Sequence, residues 1–233
     1  MRVMNTLDLD PEWGAIDLIE EVENEFGIKF RNEEVEPCAT VGDFYAVLFA
    51  RVPDWSVGGE RCATSMAFYR IRRCLDPERA KGITPNTPLP DDVAPAVLFK
   101  ALGRDTALRL PSIRPTWPGM VGVMLASVGC IAGVVALLTG WWRMSGIGFA
   151  LAAGGIPFIW MERGRWPLGI STVGDLAQRT ASLNSRTLRA SGGRSLSCWE
   201  VLVAIAAEHG ALAPDEITTS TFFHRKSLEM ASA

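Results

Sequence analysis

Residues 115–161 read PTWPGMVGVMLASVGCIAGVVALLTGWWRMSGIGFALAAGGIPFIWM, an apolar stretch with one charge, Arg143, dividing it into two halves. The first half, Trp117 to Leu138, has no ionisable side chain beyond the thiol of Cys130. At ~1.5 Å rise per residue it covers the ~30 Å hydrocarbon layer of a bilayer. The second half, Met144 to Met161, is shorter and Gly-rich but equally uncharged, a marginal spanning length. Arginine costs roughly 2.5 to 3.5 kcal/mol at mid-bilayer and little at the boundary, so Thr139 to Arg143 is expected as a turn between two spans. Trp117, Trp141, Trp142, Trp160 and Trp166 suit the headgroup zones on either side.

Orientation follows from the cations near the span ends. Lys100, Arg104, Arg109 and Arg114 precede the hairpin and Arg163, Arg165 and Arg179 follow it, against Arg143 alone in the turn. The sequence therefore predicts an integral membrane protein with two spans and both termini in the cytoplasm. Gly129 with Gly133, and Gly148 with Ala152, give each span a small-residue face that would pack the hairpin on itself or build a homo-oligomer. The apolar run starts far from Met1, unlike a cleavable secretion signal.

The rest of the chain is polar. With 48% hydrophobic residues, a net charge of -3 and a pI near 5.5, there is no basic stripe, so no nucleic acid partner is expected. Cys38, Cys62, Cys74, Cys130 and Cys198 lack metal-ligand spacing, and His209 and His224 are the only histidines. No metal site is predicted. Trp13, Ile16, Ile19, Val22 and Phe26 recur every three or four residues and define an amphipathic helix ending at Gly27, with Asp17, Glu20, Glu21, Glu23 and Glu25 on its acidic side. A short extended piece, Ile28 to Phe30, and an acidic turn, Asn32 to Glu36, follow. Thr40-Val41-Gly42-Asp43 then recurs as Thr172-Val173-Gly174-Asp175, each a capping-box signature ahead of an apolar run. His209-Gly210 reads as a helix end, with Gly210 in the left-handed cap position. Gly58-Gly59 and Gly192-Gly193 read as linkers.

This order of acidic helix, Glu-Phe-Gly-Ile, acidic loop and Thr-Val-Gly-Asp over residues 11–52 resembles helices two to four of an acyl carrier protein, a family of small four-helix bundles. A second partial match runs through Ala67 to Leu75, Ile83 to Leu89 and Ala96 to Pro111. The Thr172 copy would supply its last helix across the inserted hairpin. Cys198 to Ala206 and Ala213 to Phe223 are similar to the family's first helix and following loop, and could complete the N-terminal module within one chain or between two. The resemblance implies phosphopantetheine on a serine of an Asp-Ser-Leu motif at the start of helix two. Here the corresponding positions hold Glu12 in the first module and Asp92, after Asp91, in the second. A carboxylate cannot take the prosthetic group, so no phosphopantetheine is expected on either. Ser227, in Lys226-Ser227-Leu228, keeps a Ser-Leu pair after the third fragment's loop, with lysine where the family has aspartate.

The expected architecture is all-α: small carrier-like helical bundles plus a transmembrane hairpin. Its parts are a degenerate module over 1–56, a linker over 57–64, and a partial second module over 65–114. The hairpin over 115–161, a completing helix over 162–190 and a C-terminal fragment over 191–233 follow. The resemblance and the absence of a nucleophile with its base imply a non-enzymatic protein. It would act as an interaction or scaffold module at the inner membrane face, connected with lipid or acyl metabolism. Its docking surface for a protein partner would be Asp17, Glu20, Glu21 and Glu23. The alternative is an acyl- or lipid-handling component, modified at Ser227 or working with a partner's carrier domain.

Overall fold

The computed structural model of the chain describes residues 5–10, 13–55, 59–75, 82–90, 93–113, 117–160, 165–194 and 196–224. These contain ten α-helices: α1 (Gly14–Phe26), α2 (Asn32–Val35), α3 (Val41–Arg51), α4 (Ala63–Leu75), α5 (Pro95–Thr106), α6 (Trp117–Leu138), α7 (Trp142–Trp160), α8 (Val173–Ser182), α9 (Ser185–Ala190) and α10 (Cys198–His209). Two two-residue strands, β1 (Arg61–Cys62) and β2 (Gly193–Arg194), pair in parallel. The chain is thus mostly helical. It divides into two compact units, one of residues 1–90, 100–112 and 168–233, the other of 91–99 and 113–167.

The second unit is a helical hairpin. Gly119–Leu138 of α6 is the one described helix long and apolar enough to cross a membrane, while the apolar stretch of α7, Met144–Phe158, is shorter. The turn is tighter than the sequence suggested, since α7 begins at Trp142 and takes in Arg143. Gly140 reverses the chain with φ 79°, and the Trp141 amide donates to the Ala136 carbonyl at 2.8 Å. The small residues pack α6 on α7. A Cβ on Gly129 would lie 2.5 Å from the Ala152 amide nitrogen, one on Gly148 2.5 Å from that of Gly133, and one on Gly155 2.5 Å from the Gly122 carbonyl oxygen. Glycine is disfavoured in a helix by about 1 kcal/mol, and here it permits backbone contact that any side chain would block.

In the first unit, residues far apart in sequence close one bundle. The core joins Leu18, Val22 and Phe26 of α1 and Phe44 and Leu48 of α3 to Val201, Leu202 and Ile205 of α10. The N-terminal helices and the helix around Trp199 therefore assemble within one chain. The buried face of α1 differs from the periodicity reading. Leu18, Val22 and Phe26 are buried, whereas Trp13 and Ile16 are 63% and 47% exposed. The helix is rotated toward the i, i+4 row because α10 lies against that row, leaving Ile16 at the edge of an open cleft. The acidic turn at Asn32 is a single helical turn, α2.

Both Thr-Val-Gly-Asp copies form capping boxes. Thr40 accepts from the Asp43 amide at 3.1 Å and Asp43 accepts from the Thr40 amide at 2.9 Å, and Thr172 with Asp175 repeats the arrangement at 3.1 and 2.9 Å. The likeness extends to what crosses them. Val41 and Gly42 donate their amides to the Thr221 and Thr219 carbonyls at 2.8 and 3.0 Å, and Val173 and Gly174 donate to Thr87 and Pro85 at 2.9 and 2.7 Å. Each crossing loop is closed by two threonines: the Thr218 amide donates to Thr221 Oγ1 at 2.9 Å, and the Thr84 amide to Thr87 Oγ1 at 2.8 Å. The first unit thus contains the same junction twice, once with the loop before the capped helix in sequence and once with the loop after it.

Three local expectations change. Gly210 is extended (φ -98°, ψ 176°) rather than left-handed, because the chain leaves α10 to pair the Ala211 amide with the Leu7 carbonyl. Gly193 is part of the β1–β2 pair instead of a linker, and Gly59 (φ 80°) lies so close that its Cβ would meet the Gly193 carbonyl. Gly58 lies outside the described residues.

Candidate interaction site

The site expected on α1 is built from its N-terminus. The Trp13 amide donates to Asp10 Oδ1 at 2.9 Å and the Gly14 amide to the Asp10 carbonyl at 3.1 Å, so Asp10 ties down the entry to α1, whose N-cap is Trp13. Glu12, Asp92 and Ser227, the three positions weighed for a prosthetic group, lie outside the described residues.

The four docking acids do not form one surface. Asp17 and Glu20 are exposed. Glu23 is 7% exposed, because its carboxylate turns inward to accept the Phe30 amide at 2.7 Å and pairs with Lys29, tying down the chain after Gly27. Glu21 is held in an ion cluster. Arg109 Nη1 lies 2.6 Å from Oε1, Arg109 Nη2 donates to Oε2 at 2.9 Å, and His209 Nε2 sits 2.9 Å from Oε2. Glu23 and Glu21 are therefore structural. What remains for a partner on this side of α1 is Asp17 and Glu20 with the exposed indole of Trp13 and side chain of Ile16.

Burial raises the pKa of Glu21, but the His209 and Arg109 hydrogen bonds and charges outweigh it and hold the carboxyl below the ordinary value of 4.5. Glu25, one turn on, accepts the Arg186 amide at 2.6 Å, yet desolvation wins there and pushes it up. Asn184 continues the network, its Oδ1 accepting the Arg109 amide at 2.8 Å and its Nδ2 donating to the Arg109 carbonyl at 2.7 Å. A polar groove of about 450 Å³ runs over these groups, with Glu20, Glu21, Arg109 and His209 in its lining.

On the other side of α1 a cleft of about 620 Å³ opens between α1, α2 and α3, walled by Ile16, Ile19, Val35, Cys38, Phe44 and Phe223. Its walls are mostly apolar, with Asn32, Glu36 and His224 also in the lining, and the Cys38 thiol is pushed up by burial and by the nearby Asp43 carboxylate.

The cations used to orient the hairpin also separate. Arg179 is buried in an ion pair with Glu208 at 3.0 Å, and Glu208 accepts the Ser112 amide at 2.5 Å, so Arg179 is a structural residue between α8 and α10 rather than a membrane-flanking charge. Arg109 is likewise engaged with Glu21. Lys100, Arg104 and Arg165 are exposed, and Arg114 and Arg163 lie outside the described residues. Nothing in the sequence pointed to the Glu21–Arg109–His209 cluster, whose members are separated by 88 and 188 positions.

Among the described residues no group of three or more His, Cys, Asp or Glu could hold a metal ion. No family model matches the chain, and no curated protein or solved structure proves similar to it.

Proposed function

We propose that this is a non-enzymatic membrane-anchored protein. Its α6–α7 hairpin crosses the bilayer twice with both termini cytoplasmic, and its helical unit presents an acyl-carrier-like docking surface without a prosthetic group. The observation that supports the reading is the pairing, on one chain, of the apolar hairpin with an exposed acid-and-apolar strip at the start of α1: Trp13, Ile16, Asp17 and Glu20. Large exposed apolar groups beside acids on a buried-core helix fit a basic partner with a hydrophobic anchor. The expected partners are the lipid bilayer and an enzyme of lipid or acyl metabolism, without nucleic acid.

The test places a photocrosslinker at Ile16 in the full chain in its own membrane. A discrete protein adduct that disappears with Asp17→Lys and Glu20→Lys supports docking through α1, and an adduct unaffected by both charge reversals refutes it. Intact mass after co-expression with a phosphopantetheinyl transferase addresses the carrier side. A mass gain abolished by Ser227→Ala would refute the unmodified-scaffold reading.

The acyl- or lipid-handling alternative draws on a specific feature, the apolar cleft of about 620 Å³. A lipid co-purifying with the protein, and displaced by Ile19→Trp, would favour it.

A further inference from the structure

Two segments that pack together, residues 61–75 and 185–194, contain seven arginines and no aspartate or glutamate. Arg72 and Arg73 lie beside the exposed Tyr69 on the outer side of α4, whose inner side buries Ala63, Ala67, Phe68 and Ile71. The Arg72 guanidinium covers the Tyr69 ring at 5.5 Å, and Arg73 Nε donates to the Tyr69 carbonyl at 3.4 Å. At the start of α4 the paired strands add Arg61 and Arg194, both exposed. Among the described residues none of Arg61, Arg70, Arg72, Arg73 and Arg194 has an acidic side chain in salt-bridge range. Arg72 and Arg73 thus flank one exposed tyrosine, and Arg61 and Arg194 add positive charge at the other end of α4.

We infer that this arginine face binds the anionic phospholipid surface of the membrane that the hairpin enters. The inference rests on the membrane reading of the hairpin. The charges are complementary to phosphate headgroups, arginine forms bidentate hydrogen bonds to phosphate, and tyrosine is favoured at the headgroup level. The covalent chain supplies proximity. It leaves the first unit at Ser112 and begins α6 at Trp117, so the first unit is covalently tied to the hairpin through a few residues. A zwitterionic membrane would hold the unit only by its tethers, whereas an anionic one would hold it by α4.

Two of the protein's own cysteines report on the two parts separately. Cys62 is exposed between Arg61 and α4, and Cys130 is exposed on the side of α6. The full chain is reconstituted in nanodiscs of phosphatidylcholine alone or with about 30% phosphatidylglycerol and treated with a polyethylene-glycol maleimide, the modified peptides being identified by mass. Expected is Cys130 protected in both lipids and Cys62 modified at least about fivefold more slowly in the anionic discs. Arg72→Glu with Arg73→Glu, both on a solvent-facing surface, should abolish that difference while Cys130 stays protected. Equal Cys62 rates in the two lipids, or a slowing that survives the double charge reversal, would overturn the lipid contact. Free modification of Cys130 in both would instead overturn the membrane reading, and the lipid contact with it.

Discussion

Replacing Gly42 by alanine tests the doubled junction most directly. In an ordinary first helical turn this change is favourable by about 1 kcal/mol, because alanine is the better helix former. At Gly42 the added Cβ would lie 2.4 Å from the Thr219 carbonyl oxygen and 2.9 Å from Thr219 Cβ. Both are inside normal contact, and the nearer atom is backbone, so the 217–223 loop must move away. Moving it weakens the Gly42-to-Thr219 and Val41-to-Thr221 hydrogen bonds, each worth about 1 kcal/mol, and adds overpacking strain of about 1–3 kcal/mol. After subtracting the helix gain, a net loss of about 2–4 kcal/mol is expected. Gly174→Ala meets the Pro85 carbonyl oxygen at 2.8 Å and should lose less, while a Cβ on Gly82 has nothing within 4 Å and should cost little. Urea unfolding of the full chain in detergent, followed by the fluorescence of the buried Trp55, gives the three values. A Gly42→Ala protein as stable as the parent, or an order in which Gly82 is the costliest, would refute the reasoning.

Leu202→Ala, at a fully buried position facing α1 and α3, should cost about 2–5 kcal/mol in the same measurement. Thr40→Ala and Thr172→Ala each remove one side of a capping box and should each cost about 1 kcal/mol, with little coupling between them in a double mutant. Glu21→Gln should lower stability by about 1–3 kcal/mol at neutral pH. Because the folded Glu21 carboxyl titrates below 4.5, its ionised pairing contributes fully above that pH and fades as pH falls through the folded value, so the mutant and parent curves should converge in acid. Gly148→Leu should force α6 away from α7 and lower the thermal stability of the hairpin helices followed by circular dichroism, whereas Gly146→Leu, at a position where an added Cβ has nothing within 4 Å, should change it little.

Features set by nearby residues were legible in the sequence. The helical hairpin and its small-residue faces follow from an apolar run interrupted by one arginine, and α6 covers the stretch read as its first half, Trp117–Leu138. The capping boxes are three-residue signals, and both form. The end of α1 at Gly27, left-handed at φ 68°, is equally local. What failed depended on partners distant in the chain. Periodicity placed Ile16 inward because it cannot know that α10 arrives against Leu18 and Val22. The acids of α1 read as one docking surface because Arg109, His209 and Lys29 are invisible to a pattern of carboxylates. Arg179 counted as a flanking cation for the same reason, its partner Glu208 lying on another helix. The loop that crosses Gly42 comes from residues 217–223, so the repeated Thr-Val-Gly-Asp was visible but the need for its glycine was not.

The way α10 closes the N-terminal bundle has a consequence for synthesis. The ribosome delivers α1 and α3 first, then both hairpin helices, and only roughly 150 residues after α3, on the order of ten seconds later, the segment that covers Leu18, Val22, Phe44 and Leu48. During that interval the nascent polypeptide carries an uncovered greasy face while the whole of its apolar hairpin has already been made. A chaperone that shields the early segment until the last helix emerges would therefore act on a chain whose apolar hairpin is already complete.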